Sequence, residues 1–407
     1  MVFNSLLFVA FIGVVLIVSR SSLGWSVRKG FLTVASYAFY AAWNPLFCIL
    51  ILFSTLVDWR IGLRLEGSES STVRKTLVTT SLAVNLGLLG VFKYGQFLTD
   101  NSIALANAVG LDFQPVELGI LLPVGISFYT FQTLSYTLDV YRRRIPATRS
   151  LNDFALFVAF FPQLVAGPIV RAADFLPQLK GEKRATPEQF GWGISLLTLG
   201  LFQKVVLADH LMAPVVDRIY APTFDANTVA AWVGTLAFSG QIFYDFAGYS
   251  LCAIGVALML GFALPDNFRR PYGALGFSDF WRRWHITLSS WLRDYLYISL
   301  GGNRSGVVKM YRNLCLTMLL GGLWHGASWN FVIWGALHGG FLVIERLVRD
   351  ATAGNARFKS SFAQLFGRLG TFALVCIAWV YFRAADLPTA WRINRAMFGF
   401  GGAEGAR

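Results

Sequence analysis

Gly321–Gly340 reads GGLWHGASWNFVIWGALHGG, an apolar run of glycine and tryptophan that carries two histidines, His325 and His338. A histidine in hydrocarbon is costly unless it faces protein, water or a substrate path, so at membrane depth it marks function. Its imidazole is also the side chain best suited to taking a proton near neutral pH. The chain has only four histidines, the others being His210 and His285. The stretch points to a helical membrane protein with proton-transfer chemistry inside it.

Composition agrees. Of the 407 residues 55% are hydrophobic and 14% charged, and the mean hydropathy is +0.54. A soluble domain carries about 25% charged residues, so this chain belongs in a bilayer. Apolar runs recur at Phe3–Val18, Thr76–Phe92, Leu118–Leu138, Gly193–Leu207, Val229–Ile242 and Leu314–Ile344. At roughly 20 residues per crossing the chain holds about nine to eleven spans. The runs are continuous and not alternating, which selects helices over a β-barrel. Two interrupted runs, Ala42–Leu46 (AWNPL) and Phe161–Ile169 (FPQLVAGPI), predict tilted, broken or re-entrant helices. The expected fold class is an all-α polytopic membrane protein, with a single membrane domain over residues 1–400 and a glycine-rich tail at 401–407.

The net charge of +13 does not indicate nucleic acid, because many basic residues sit in short loops between apolar runs. Arg20, Arg28 and Lys29, then Arg60, Arg64, Arg74 and Lys75, then Arg142, Arg143 and Arg144 form three such groups. The loop Thr99–Glu117 carries only Asp100, Asp112 and Glu117. By the positive-inside rule the N-terminus is outside and loops 20–30, 59–75 and 141–150 are cytoplasmic, with the parity open beyond residue 150. Phe3–Ser19 has no small-residue cleavage site and reads as a retained first span. Cys48, Cys252, Cys315 and Cys376 are scattered singly, with neither disulfide nor metal spacing.

Three segments break the logic of an ordinary span. In Phe160–Arg171 (FFPQLVAGPIVR) Pro162 and Pro168 prevent a straight helix, leaving either a structural kink or a re-entrant element lining a cavity. In Phe277–Arg304, Ser278 is placed to cap a helix on which Trp281, Trp284, His285, Leu288 and Trp291 share one face. Arg282, Ser289 and Arg293 fall on another face, beside Asp294. That helix reads as interfacial, or as the floor of a pocket for an anionic group. In the third segment Trp324 and Asn330 flank His325, while His338 lies roughly 220° away on a continuous helix, off its face. No metal is expected, since no HxxH or HExxH occurs, and no GxSxG supplies a serine nucleophile.

FFPQLVAGPIVR, FSDFWRRWHITLSSWLRDYLYISLGGNR and LLGGLWHGASWNFVIWGALHG follow one another in the order seen in membrane-bound O-acyltransferases. SYAFYAAWNP, STLVDW and LPVGISFYTFQTLSYTLDVYR also resemble that family's bacterial, alginate O-acetyltransferase branch, and the likeness runs over residues 1–400. The resemblance implies a ring of helices with broken or re-entrant elements around a central tunnel. It implies His325 as the catalytic base and His285 as the second polar residue, orienting substrate or donating to the carbonyl oxygen. Trp284, Arg282, Arg293, Trp324 and Asn330 become candidates for lining the substrate path. No bound cofactor is implied. The acyl donor would be acetyl-CoA, its phosphates held by Arg282, Arg283 and Arg293, and the acceptor an exopolysaccharide or a periplasmic SGNH-hydrolase-like relay protein. The location implied is the bacterial cytoplasmic (inner) membrane. Members of the branch continue with further membrane helices, so a shortened or fragmentary C-terminus is expected here.

Acyl transfer to a hydroxyl needs a base, a stabilised oxyanion and exclusion of water, and a desolvated neutral imidazole fits the first need. Two rivals stand beside acetyl transfer. One keeps the fold and moves D-alanine onto teichoic acid. The other is a polysaccharide or lipid transporter, for which neither paired charges along a path nor a repeat of two halves is evident.

Overall fold

The computed structural model describes residues 1–111, 119, 121–164, 167–304, 306–352 and 360–401. Asp112 and Glu117 of the acidic loop, Val165 and Ala166 of the proline segment, and tail residues 402–407 lie outside them. Every regular element among the described residues is helical. Polar side chains start many of these helices: Ser5, Ser70, Ser150 and Ser360 each accept a hydrogen bond from a backbone amide of the first turn. Asp386 does the same for Leu387–Met397, with Pro388 in the first turn.

Five described helices are long and apolar enough to cross a bilayer: Ser71–Ala108, Pro187–Tyr220, Thr228–Met259, Trp329–Ala351 and Ser361–Arg383. The chain is a multi-pass membrane protein. The count falls below the about nine to eleven expected from apolar length. Leu6–Arg20 has only 15 residues. Val307–His325 and Phe47–Glu66 interrupt their apolar runs with Lys309, Arg312 and Asn313, and with Asp58, Arg60 and Arg64.

The chain packs as two compact units. The first comprises Met1–Leu199 with Ser250–Pro265, the second Gly200–Tyr249 with Asp266–Arg407.

A buried polar seam joins three helices of the first unit, Phe47–Glu66, Ser71–Leu89 and Ile126–Tyr141. Asp58, wholly buried, accepts hydrogen bonds from the Ser81 and Thr137 hydroxyls and from Asn85 Nδ2 at 2.8 Å. Asn85 Oδ1 in turn accepts from Ser54 at 2.7 Å and Thr133 at 3.2 Å. Burying a carboxylate costs several kcal/mol unless such donors replace water. Two arginines near helix starts do similar work. Arg28 donates to the carbonyls of Ser19 and Leu23, both at 2.9 Å, and pairs with Glu182. Arg74 donates to Tyr141 O at 2.6 Å and Ser68 O at 3.2 Å. Both are buried, so beyond any topological role they satisfy carbonyls near helix ends.

The proline segment breaks as its composition predicts. Helix Leu151–Ala159 stops at Phe160, and a single turn, Phe161–Leu164, follows. Phe160, Phe161, Gln163, Ile169 and Val170 are all buried. The Phe161 amide donates to Ser36 Oγ, Gln163 Nε2 donates to Phe157 O, and the Phe161 ring packs on Phe11 and Phe39. The described residues of the segment form a packed structural kink. AWNPL is a turn between Trp25–Ala41 and Phe47–Glu66, with Asn44 Oδ1 accepting from the Leu46 amide.

In the second unit, helices Val307–His325 and Trp329–Ala351 form a tight hairpin. Glycines set its closeness: a Cβ on Gly335 would lie 2.5 Å from Met318 O and 3.1 Å from Leu319 Cα. Against the hairpin lies a core of Phe277, Phe280, Trp284, Trp334, Trp379 and neighbouring aliphatic side chains. Each buried aromatic ring of this kind contributes about 150–250 Å² of apolar burial.

Candidate active site

His325 is the last residue of Val307–His325. Gly326 is extended, its Cα facing the Phe331 ring so closely that a Cβ would overlap it, and the next helix begins at Trp329 behind Ser328. The helix is therefore broken between the two histidines, and the separation expected from a continuous helix does not apply. Trp334 instead lies against both, 5.1 Å from the His325 ring and 4.7 Å from that of His338. His325 is half-buried, with Trp324 at 4.9 Å and Phe382 at 5.0 Å completing its aromatic walls.

The expected single helix from Asp279 to Trp291 is also broken. Helix Phe277–Arg283 starts behind Gly276, whose φ of 87° suits glycine. Ser278 does not cap it; the Ser278 amide donates to Glu345 Oε2 instead. A second short helix runs over Ile286–Trp291, and His285 between them adopts the left-handed conformation, φ 43° and ψ 55°. Such a backbone is uncommon outside glycine and persists only where its surroundings enforce it.

Here the enforcing element is the irregular stretch of chain around Asn267. Asn267 O accepts from the Ile286 amide and Arg269 N donates to Arg283 O, both at 2.9 Å. The Asn267 side chain continues the clamp. Its Oδ1 lies 3.0 Å from His285 Nδ1, 3.0 Å from the Thr287 hydroxyl and 3.4 Å from the Thr287 amide. His285 is wholly buried, its ring edge-on to Phe246 at 4.6 Å and 6.0 Å from Trp324. Its Nε2 has no hydrogen-bond partner among the described residues. The two segments carrying His285 and His325 thus meet at Trp324.

The remaining candidates separate into two groups. Arg282, Ser289 and Arg293 line one cavity of about 310 Å³, with Trp281, Leu314 and Met318 among its apolar walls. Both arginines are exposed, and Arg293 also forks onto Asp294 at 2.7 and 3.1 Å. Burial acts to raise the nearby Asp279 carboxyl. Hydrogen bonds from Arg283 and the Leu275 amide, with the charges of Arg283 and Arg282, outweigh that and hold it below the usual carboxylate range. Trp281 connects this cavity to the histidines, touching His338 at 5.1 Å and Trp334 at 5.8 Å. Trp284 and Asn330 belong elsewhere. Trp284 is buried against Phe268, Phe280 and Trp379, in the core and away from the cavity lining. Asn330 Nδ2 donates to Ala384 O at 2.8 Å, bracing the start of one helix against the end of Ser361–Arg383.

Sequence reading missed Asn267 and Phe246 altogether. Asn267 lies in an irregular stretch after Pro265, and no local pattern announces that it reaches His285 eighteen positions on. Phe382 carried no signal beyond aromatic content.

Residues 31–385 match the membrane-bound O-acyltransferase family. The chain belongs to that family. It is 47% identical over 378 residues to a probable alginate O-acetylase of Azotobacter vinelandii, covering 92% of this chain and 73% of the relative. A peptidoglycan O-acetyltransferase of Helicobacter pylori is 37% identical over 400 residues, 92% of this chain and 74% of that one. A teichoic acid D-alanyltransferase of Bacillus subtilis matches at 28% over 53% of this chain and 56% of its own length. Family membership makes the chain a membrane O-acyltransferase, and a transporter reading falls away.

Proposed function

We propose that this chain moves an acetyl group from a cytoplasmic thioester, acetyl-CoA, toward hydroxyls of an exported polysaccharide of the alginate kind, with His325 as general base. What carries the reading is the likeness to probable alginate O-acetylases over 92% of the chain, ten percentage points of identity above the peptidoglycan O-acetyltransferase (47% against 37%). The D-alanyl reading rests on a match to about half the chain. In this scheme the acceptor hydroxyl loses its proton to His325 as its oxygen attacks the thioester carbonyl, and the departing thiolate recovers a proton from the imidazolium. Trp324, Trp334 and Phe382 exclude water that would hydrolyse the thioester. Arg282 and Arg293 at the cavity suit a phosphate-bearing donor, and the acceptor is the polymer itself or a periplasmic SGNH-like relay. The protein would lie in the cytoplasmic membrane with its N-terminus outside.

The test is a deletion strain carrying either wild type or His325→Ala, with the O-acetyl content of the exported polymer measured. Acetylation should fall about 10³-fold, the scale set by loss of a general base, at unchanged protein level in the membrane. Wild-type acetylation in the mutant would remove His325 from the mechanism.

A further inference from the structure

We propose that Asn267 is a positioning residue that fixes His285 as a hydrogen-bond acceptor at Nε2, so that His285 orients a hydroxyl of the acceptor and does not donate to the carbonyl oxygen. This deepens the acyl-transfer reading above and rests on it.

The tautomer follows from which groups can only donate. A backbone N–H cannot accept, and the Thr287 amide points at the Asn267 side-chain atom 3.4 Å away, so that atom is the amide oxygen. The Thr287 hydroxyl donates to the same oxygen at 3.0 Å. His285 Nδ1, also 3.0 Å from it, must then carry the hydrogen. Full burial disfavours the doubly protonated, charged ring, so Nε2 is left as a bare lone pair.

That lone pair is buried and has no partner among the described residues. An open acceptor calls for a donor, and a hydroxyl-rich acceptor substrate brings one. A carbonyl oxygen brings none. The left-handed backbone at His285 and the Asn267 O to Ile286 N hydrogen bond hold the ring in place before substrate arrives. With one nitrogen held and the other open, His285 has the arrangement in which an orienting partner sets the working nitrogen of an imidazole.

The first measurement is ¹⁵N NMR of histidine-labelled protein in detergent, where only four histidines contribute. The His285 signal is identified by its loss in His285→Ala. The expected result is a protonated Nδ1 and a bare Nε2 in the wild type, kept in Asn267→Asp, which retains an acceptor oxygen, and lost in Asn267→Leu. A protonated Nε2 in the wild type overturns the proposal. The second measurement is polymer O-acetylation in the deletion strain. Asn267→Leu should lower it about 10²-fold, the cost of a misplaced reacting group, and Asn267→Asp should restore it to within about threefold. Equal acetylation in wild type and a folded Asn267→Leu overturns the positioning role, as does an Asn267→Asp no better than Asn267→Leu. The NMR result is independent of turnover. If His325→Ala cells acetylate normally while the tautomer is as stated, the function reading has failed and the tautomer assignment has not.

Discussion

Asp58 and His285 are both wholly buried polar side chains, and their surroundings differ in one respect. Around Asp58 each carboxylate oxygen accepts a hydrogen bond, and Asn85, which supplies one, is itself satisfied by Ser54 and Thr133. Around His285 one ring nitrogen is tied to Asn267 and the other has no partner among the described residues. A closed network leaves nothing with which to meet a substrate and serves to fasten helices together. A half-closed one bears an unpaired polar atom, at about 1–3 kcal/mol, that a substrate can relieve. Burial of polar groups is shared; only the second arrangement leaves an acceptor unpaired among the described residues.

The largest test of this contrast is His285→Ala. It should lower acetyl transfer about 10²-fold, since orientation is a partial effect where loss of the base is a larger one. The melting temperature in detergent should fall as well, because the deleted ring is wholly buried beside Phe246, so turnover is compared per folded protein. Full turnover at saturating donor and acceptor would erase the distinction from the Asp58 side.

Asp58→Ala probes the other half. It leaves the Ser81 and Thr137 hydroxyls and the Asn85 amide without their acceptor, at a cost of about 2 kcal/mol. The melting temperature should fall, while the turnover of the folded fraction stays within about twofold. A large loss of kcat at unaltered stability would show that the seam takes part in transfer.

The contrast also explains how far the sequence could be read. The polar seam was legible and was overlooked: Ser54 and Asp58, Ser81 and Asn85, Thr133 and Thr137 are pairs four residues apart inside apolar runs, each on one helix face. Arg282, Ser289 and Arg293, expected on one helix face, line one cavity, although the helix that was to carry them is broken at His285. That break was illegible. Nothing between Trp281 and Trp291 is glycine or proline, and the left-handed turn is imposed by a strap that begins at Asn267. The hairpin at Gly326–Ser328 was within reach, because a glycine follows His325 and Ser328 stands before the next helix. Local pattern carried the helices, and long-range hydrogen bonds carried the site.

His338 gives the smallest expected effect and the finest test. It too is wholly buried, and neither ring nitrogen has a partner among the described residues. If an unpaired nitrogen alone marked function, His338 would rank above His285. The difference is that no hydrogen bond among the described residues holds its ring in one tautomer. It is packed by aromatic faces instead, parallel to Phe280 at 6.0 Å and beside Trp281 at 5.1 Å and Trp334 at 4.7 Å. An imidazole so placed serves as a flat ring, and its unpaired nitrogens are a cost. His338→Phe keeps the ring and removes both nitrogens, so stability should hold or rise by up to about 1 kcal/mol. Acetyl transfer should stay within about threefold of wild type, the residue of small shifts passed through Trp334 to His325. A loss as large as that of His285→Ala, in protein that melts normally, would mean that the nitrogens of His338 do work in the reaction. The rule separating a held ring from a merely packed one would then have to be abandoned.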